Sequence, residues 1–371
     1  MRMLFKTCTK ESVHIFPSIG DRMRILVVGP QFPDSFARNI AVTLRDMGHD
    51  VISEDGATIR HHGNKYVNAF KRIARETFPV IEASCFRRMV ERASRTDPDL
   101  ILVTYGVMPP EVVRDLKNRC SSPIVCWFTD AISNLYRSYL LASGFDALFV
   151  KEPFLLSILN TKLGRRAFYL PECCNPLWHK RGPLSEKDLE LYGCDVAAVG
   201  TLHYYRALQL EILSGYKLKI WGLNCPNWLV SPVKARYSGL YVAEEEKAKA
   251  FSAAKVLLNT IHYTEVEGVN CSLFEGAGCG AFQIVDWKPA LCELFEPERE
   301  IVTFRTREEL KEKIDYYLAH PEERQEIADR AYARAHRDHT YQNRLRKMLQ
   351  IIGFPAEATH PAATLETMST V

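Results

Sequence analysis

Two glutamates, Glu267 and Glu275, are separated by the seven residues Gly268-Val-Asn-Cys-Ser-Leu-Phe274, and the run continues Gly276-Ala-Gly-Cys-Gly280. Asn270 suits the N-cap of a short helix, and Gly278 and Gly280 suit its end. The segment Ala281–Val285 after it has strand character. A helix that starts here turns unpaired backbone N–H groups and the positive end of its dipole toward whatever lies in front of it. The N–H groups of Gly268, Val269 and Asn270 are therefore candidates to hold a diphosphate, and the missing side chain at Gly268 permits close approach. A carboxylate can accept from two adjacent hydroxyls, which suits both Glu275 and Glu267 to the hydroxyls of a polyol. A phosphorylated ligand carrying hydroxyls would use all three parts.

These residues need elements to carry them. Arg24–Gly29 is a short apolar run ending in glycine, as a buried parallel strand requires. A helix from Ser35 to Met47 follows, with Ala37, Ile40, Ala41 and Leu44 on one face and Gly48 after it. His49–Ser53 is the next strand, so the chain opens as β-α-β, the start of a doubly wound sheet. The loop between lacks Gly-x-Gly-x-x-Gly, the dinucleotide fingerprint. Thr58–Arg95 reads as helical, with its basic residues on a solvated face. Further strands are expected at Leu100–Thr104, Pro123–Phe128, Phe145–Val150 and Ala167–Pro171. Asp97-Pro-Asp99 precedes a strand, the wrong end for a ligand, and reads as a turn.

The pattern restarts with a strand over Asp195–Gly200, the loop Thr201–Arg206, and strands over Tyr216–Gly222 and Lys255–Asn259. Thr306-Arg-Glu-Glu309 reads as a capping box, and a last helix runs from about Thr340 to Ile351 before Gly353. The expected organisation is an extension over 1–22, one Rossmann-like half over 23–178 and a second over 179–353. Its last helix is able to cross back, and residues 354–371 form a disordered tail. Ligands of such sheets sit beyond the carboxyl ends of the strands. Asp130, directly after the strand Pro123–Phe128, either points into the cleft or caps the next helix. Arg206 could neutralise a departing diphosphate, with Lys255 second to it. Thr201, His203, His262 and Trp221 stand in strand-end positions from which they could line a ligand pocket. For Trp221, core packing is the competing expectation, and for each histidine an incidental loop position.

Composition bounds the partners. The chain has 371 residues, 47% hydrophobic and 25% charged, with a net charge of +3. That is ordinary globular material for two domains and too weakly basic for nucleic acid. Eleven cysteines without a Cys-x-x-Cys pair suggest reduced thiols in a cytosolic protein. No apolar run is long enough to span a membrane, which leaves a peripheral membrane position open.

The Glu-x7-Glu segment with its glycine-rich helix end resembles the donor-binding segment of GT-B glycosyltransferases. The stretch Ala290–Phe304, and His339-Thr-Tyr341 with Arg344, resemble the spore-maturation (CgeB-type) branch of the glycosyltransferase family 1-like group. The resemblance is clear over about 195–350 and looser over 23–175. It implies two Rossmann-like domains facing a cleft, an acceptor on the first and a nucleotide-diphosphate-sugar donor on the second. By position it puts Glu275 on the ribose and Glu267 beside the transferred sugar, with Arg206 as the family's basic loop residue, and it needs no metal or other cofactor. Transfer to an acceptor hydroxyl is the implied activity. Asp130 would be the base for inversion, and Glu267 would matter more for retention. A GT-B-shaped binding protein without activity and a GT-B-type nucleotide-sugar epimerase are the alternatives.

Overall fold

The computed structural model describes residues 22–55, 65–222 and 225–354. The expected extension and tail therefore fall almost wholly outside the described residues. The first half is a six-stranded, all-parallel sheet in the order β2-β1-β3-β4-β5-β6. Its strands are β1 (Arg24–Val28), β2 (Asp50–Glu54), β3 (Leu100–Val103), β4 (Ile124–Phe128), β5 (Ala147–Val150) and β6 (Ala167–Tyr169). The second half holds β7 (Cys194–Val199), β8 (Leu218–Trp221), β9 (Ala254–Asn259), β10 (Gln283–Asp286) and β11 (Val302–Phe304). They form a five-stranded parallel sheet in the order β11-β10-β9-β7-β8.

Both sheets are covered on two faces, which is why β1, β3, β4 and β5 are almost continuously apolar and buried. One face of the first sheet packs against the helix Phe36–Asp46, whose Ala37, Ile40, Ala41 and Leu44 are buried as the 3.6-residue period requires. The last helix, Tyr341–Ile352, packs on that same face rather than on its own half. Its Tyr341, Leu345, Met348 and Leu349 join Trp127 and Phe149 in one core. Thr340 caps it by accepting from the Asn343 N–H.

The helix Cys271–Gly278 lies between β9 and β10, with six of its eight residues buried. It packs on the long helix Pro321–Asp338. A Cβ at Gly278 would come within 2.9 Å of Cys174 Cβ, so a small residue lets the helix sit against the chain leaving the first half. His339 joins the same region. Its Nδ1 accepts from Arg344 (2.8 Å), so its Nε2–H is directed at the Leu294 carbonyl (2.7 Å). Burial, then the Arg344 charge, push its pKa down to about 4, and the neutral ring is a structural tie. Asp97-Pro-Asp99 is also structural, because Asp99 accepts from the Arg24 N–H at 2.7 Å.

Candidate active site

In each sheet the strand order reverses direction beside the first strand, between β1 and β3 and between β7 and β9. The crevice at such a switch point, beyond the carboxyl ends, is where doubly wound sheets bind ligands. In the second half Arg206 spans it. Its Nε donates to Thr260 Oγ1 (2.7 Å) after β9, and its Nη1 donates to the Thr201 carbonyl (2.7 Å) after β7. Gly200 (φ +112°) makes room, because a Cβ there would lie 2.7 Å from Arg206 Nη1. No carboxylate pairs with this guanidinium among the described residues. Burial alone lowers its pKa, to about 10, and it still stays charged. A partly buried cation held by neutral oxygens is ready for an anion.

The histidines nearby are neutral. His203 caps the helix Tyr204–Glu211, its Nδ1 accepting from the Arg206 N–H. Burial, then the Arg206 charge, bring its pKa down to about 4. His262, 4.6 Å away ring to ring, accepts at Nδ1 from the Thr264 N–H and is likewise lowered, first by burial. Arg206 is thus the cation of this edge. Thr201 contributes its carbonyl and remains exposed. Trp221, expected as a stacking surface, is instead 3% exposed and packed on Tyr192 (5.4 Å). The strand end that should have presented it is covered by Val242 and Ala250. The exposed ring at this edge is Tyr263, stacked on His262 at 4.4 Å.

Across the gap, Asp130 is exposed at the end of β4. Its Oδ1 accepts from the Ala131 N–H and from Asn134 Nδ2, both at 2.8 Å. It does not cap the next helix, the turn Ile132–Asn134, whose N-cap is Ala131 without a side-chain cap bond; its charge reaches His262 and Glu265 of the other half. Ser133 Oγ and Thr264 Oγ1 meet at 3.3 Å beside it.

The Glu-x7-Glu segment differs from expectation in three ways. First, the backbone N–H groups of Val266, Glu267 and Gly268 all donate to one carboxylate of the first half, Glu152 (3.1, 2.9 and 3.1 Å). Gly268 is indispensable here, since a Cβ would lie 2.9 Å from the Lys151 carbonyl. The anion position at this loop is therefore filled by the chain itself. Second, Val269 is a core residue, and Asn270 stands at the N-cap position without a side-chain cap bond. The Asn270 amide instead exchanges bonds with Asn259 at 2.9 and 2.8 Å. Third, Glu275 is 6% exposed, and its Oε1 accepts from Lys247 Nζ (3.1 Å) with His179 Nε2 at 4.0 Å. The Lys247 ammonium also contacts the Asp34 carboxylate of the first half. The Glu267 carboxylate makes no hydrogen bond or ion pair among the described residues.

Asp34, His179 and Glu275 are the one set of side chains among the described residues close enough to share a metal ion. The Lys247 ammonium already lies on both carboxylates, so the cationic position is filled by a side chain. Burial pushes the Asp34 pKa up, but His179 and Lys247 together hold it well below the usual carboxylate range. A second buried cluster lies beside Glu152. Lys151 pairs with Glu172 (3.2 Å) and with Glu265 (2.8 Å). Burial raises Glu172 to about 7 despite Lys151. Sequence reasoning missed Asp34, Lys247 and His179, which carry no local pattern. Glu152 had a readable signal, because it lies two residues past the end of β5, at the ligand end. Lys255, the weaker cation candidate, pairs with Asp195 at the opposite end of the sheet.

The whole chain can be set against known proteins on this geometry. A glycosyl transferase-like family model matches residues 205–350, which include Arg206, Glu267 and Glu275. Sucrose-phosphate synthase from Thermosynechococcus elongatus superposes with a TM-score of 0.65 at 14% identity, covering 89% of this chain and 98% of that one. An E. coli trehalose-6-phosphate structure bound with UDP-2-fluoro glucose gives 0.61 at 14%, covering 89% and 99%. HepE from Anabaena, in complex with UDP and glucose, gives 0.60 at 12%, covering 89% and 99%. The fold is GT-B, and residues 205–350 are similar to the glycosyl transferase-like family. No curated protein matches the chain in sequence. β7–β11 form the second sheet of this fold, and Arg206, without a carboxylate partner among the described residues, stands at its switch point.

Proposed function

We propose that the chain is a glycosyltransferase that moves a sugar from a nucleotide-diphosphate-sugar to an acceptor hydroxyl, and that it lies within the CgeB-type branch. The observation that carries this is Arg206, a guanidinium without a counter-ion among the described residues, at the switch point of a GT-B donor-side sheet. In the reaction the anomeric C–O bond breaks toward the diphosphate, and Arg206 receives the developing charge. The acceptor oxygen forms the new bond and loses its proton, to Asp130 if configuration inverts. If configuration is retained, Glu267, whose carboxylate has no partner among the described residues, lies beside the sugar. Glu275 keeps Oε2 for a ribose hydroxyl while Oε1 holds Lys247. Because Glu152 caps the loop in this arrangement, donor entry separates the halves and closure excludes water.

UDP and UDP-glucose are the natural probes, since HepE and the E. coli structure hold such molecules. UDP at about a hundredfold its Kd stabilises the fold by about 2.7 kcal/mol, read as a rise in Tm. Arg206→Ala removes that rise and lowers turnover of the donor by about 10²- to 10³-fold, and Glu275→Ala also removes it. A UDP response unchanged in Arg206→Ala would sink the assignment. One observation favours a second reading, a binding protein without transfer activity: both anion-facing parts of the Glu-x7-Glu segment are engaged by Glu152 and Lys247. It would show as UDP binding with no consumption of UDP-glucose.

A further inference from the structure

The chain that joins the two halves runs along a cavity. Residues 178 and 180–184 line it together with the helix Glu244–Ser252, and it holds about 330 Å³, a volume suited to a small molecule. Trp178, Leu184 and Ala248 supply apolar walls. The Trp178 indole N–H is buried and finds no acceptor among the described residues. A buried donor without an acceptor costs stability, so it marks a place where an acceptor from outside the chain is taken up. Three basic side chains, Lys180, Arg181 and Lys249, and one acidic one, Glu245, line the same space. Two of the cations are already held. Arg181 pairs with Asp329 (2.5 Å) and lies over the Tyr332 ring, and Lys249 pairs with Asp188 (3.1 Å). The exposed Lys180 ammonium makes no ion pair among the described residues.

We propose that this cavity binds a small molecule built of an apolar ring and a carboxylate. The ring lies against Trp178, Leu184 and Ala248, and a carboxylate oxygen accepts from Trp178 Nε1–H and meets the Lys180 ammonium. An indole nitrogen can only donate, so the ligand must bring the acceptor. The excess of basic over acidic side chains favours an acceptor that carries negative charge. The apolar walls favour a ring behind it, since a bare hydrated anion would gain nothing from them. These walls are set before a ligand arrives. The Arg181 side chain fills the place that a Cβ at Gly280 would take, and the Asp188 that holds Lys249 is itself held in the capping box with Ser185. A site formed in advance loses less freedom on binding. His179 and Lys247, which meet Asp34 of the first half, adjoin Trp178 and Ala248 in sequence, so an occupant braces the segments that bridge the halves. The cavity shares no lining residue with Arg206 or the Glu-x7-Glu segment, and the inference does not rest on sugar transfer.

The test titrates the full-length protein, isotope-labelled at its tryptophan nitrogens, with cinnamate and with the neutral cinnamyl alcohol. The Trp178 signal is the indole N–H resonance missing from Trp178→Phe. Cinnamate is expected to shift that resonance saturably, and calorimetry is expected to show the alcohol binding about tenfold more weakly. Lys180→Met should weaken cinnamate binding about two- to fivefold and leave the alcohol unchanged, as suits an exposed charge. Glu245→Gln should strengthen cinnamate binding by a similar factor. A Trp178 resonance that cinnamate does not move overturns the proposal and assigns the acceptor to water. Cinnamate binding no tighter than the alcohol, or equally tight binding by Lys180→Met, also overturns it. Should Trp178→Phe not fold, calorimetry of the two probes on the unaltered and Lys180→Met proteins decides the matter.

Discussion

Lys247 shows how far single side chains can depart from their sequence context. It stands in Glu244-Glu-Glu-Lys-Ala-Lys249, a run that reads as a solvated helix face, yet its ammonium is buried between Asp34 and Glu275. Burial pushes its pKa down, but the two carboxylates outweigh that and hold it above its ordinary value. Lys247→Met would leave two carboxylates facing each other without a cation, and breaking such a buried pair costs about 3–5 kcal/mol. Urea unfolding should show a loss of that size, and adding Asp34→Asn should recover part of it. A change below about 1 kcal/mol would mean that water already reaches the cluster. Arg206, by contrast, was legible as a cation in a strand-end loop, because the restart of the β-α pattern at Asp195 placed it. That no carboxylate among the described residues pairs with it was not legible, since that depends on which side chains the fold keeps away.

At the level of elements, the decisive contact is between the loop after β9 and the loop after β5. Three consecutive N–H groups converge on Glu152, a geometry that would hold a phosphate equally well. Glu152→Gln lowers the charge of this internal ligand while keeping its shape. The expected outcome is a UDP affinity several-fold higher than that of the unaltered protein, measured by calorimetry. A lower or equal affinity would show that the carboxylate braces the loop rather than competing with the ligand. Gly268→Ala should push the Lys151–Glu152 segment away, because a Cβ has only 2.9 Å to the Lys151 carbonyl. The start of the helix Arg307–Ala319 was readable from Thr306, which caps it by accepting from the Glu309 N–H. Asn270 does stand at the N-cap as its type suggests, but its side chain leaves the helix backbone and pairs with Asn259. An asparagine can cap its own helix or reach another strand end, and only the proximity of Asn259 settles which.

On the scale of the molecule, the last helix ties the halves together by completing the core of the first. Met348 is fully buried there, and Met348→Ala should cost about 2–5 kcal/mol. Tryptophan fluorescence of Trp127 in the same core would report whether the first half loosens. The Lys151 cluster predicts a pH response. Glu172 is raised from 4.5 to about 7, first by burial, so the folded state holds its proton more tightly than the unfolded chain. Its contribution is therefore present below about pH 4.5 and is lost as the pH rises through about 7. Glu172→Gln should flatten the thermal stability profile across that window. An unchanged slope would place the titration elsewhere.

Periodicity, glycine positions and strand order in the chain are local quantities, and they were enough to determine two parallel sheets, the loop that bears Arg206 and the Glu-x7-Glu segment. Contacts between residues far apart in sequence are not local. Only the tertiary structure decided that Trp221 lies in the core, that Lys247 lies on Glu275, and that Glu152 caps the loop at Gly268. Each depends on two surfaces meeting across the cleft or the core, where burial and charge compensation, rather than propensity, select the partner.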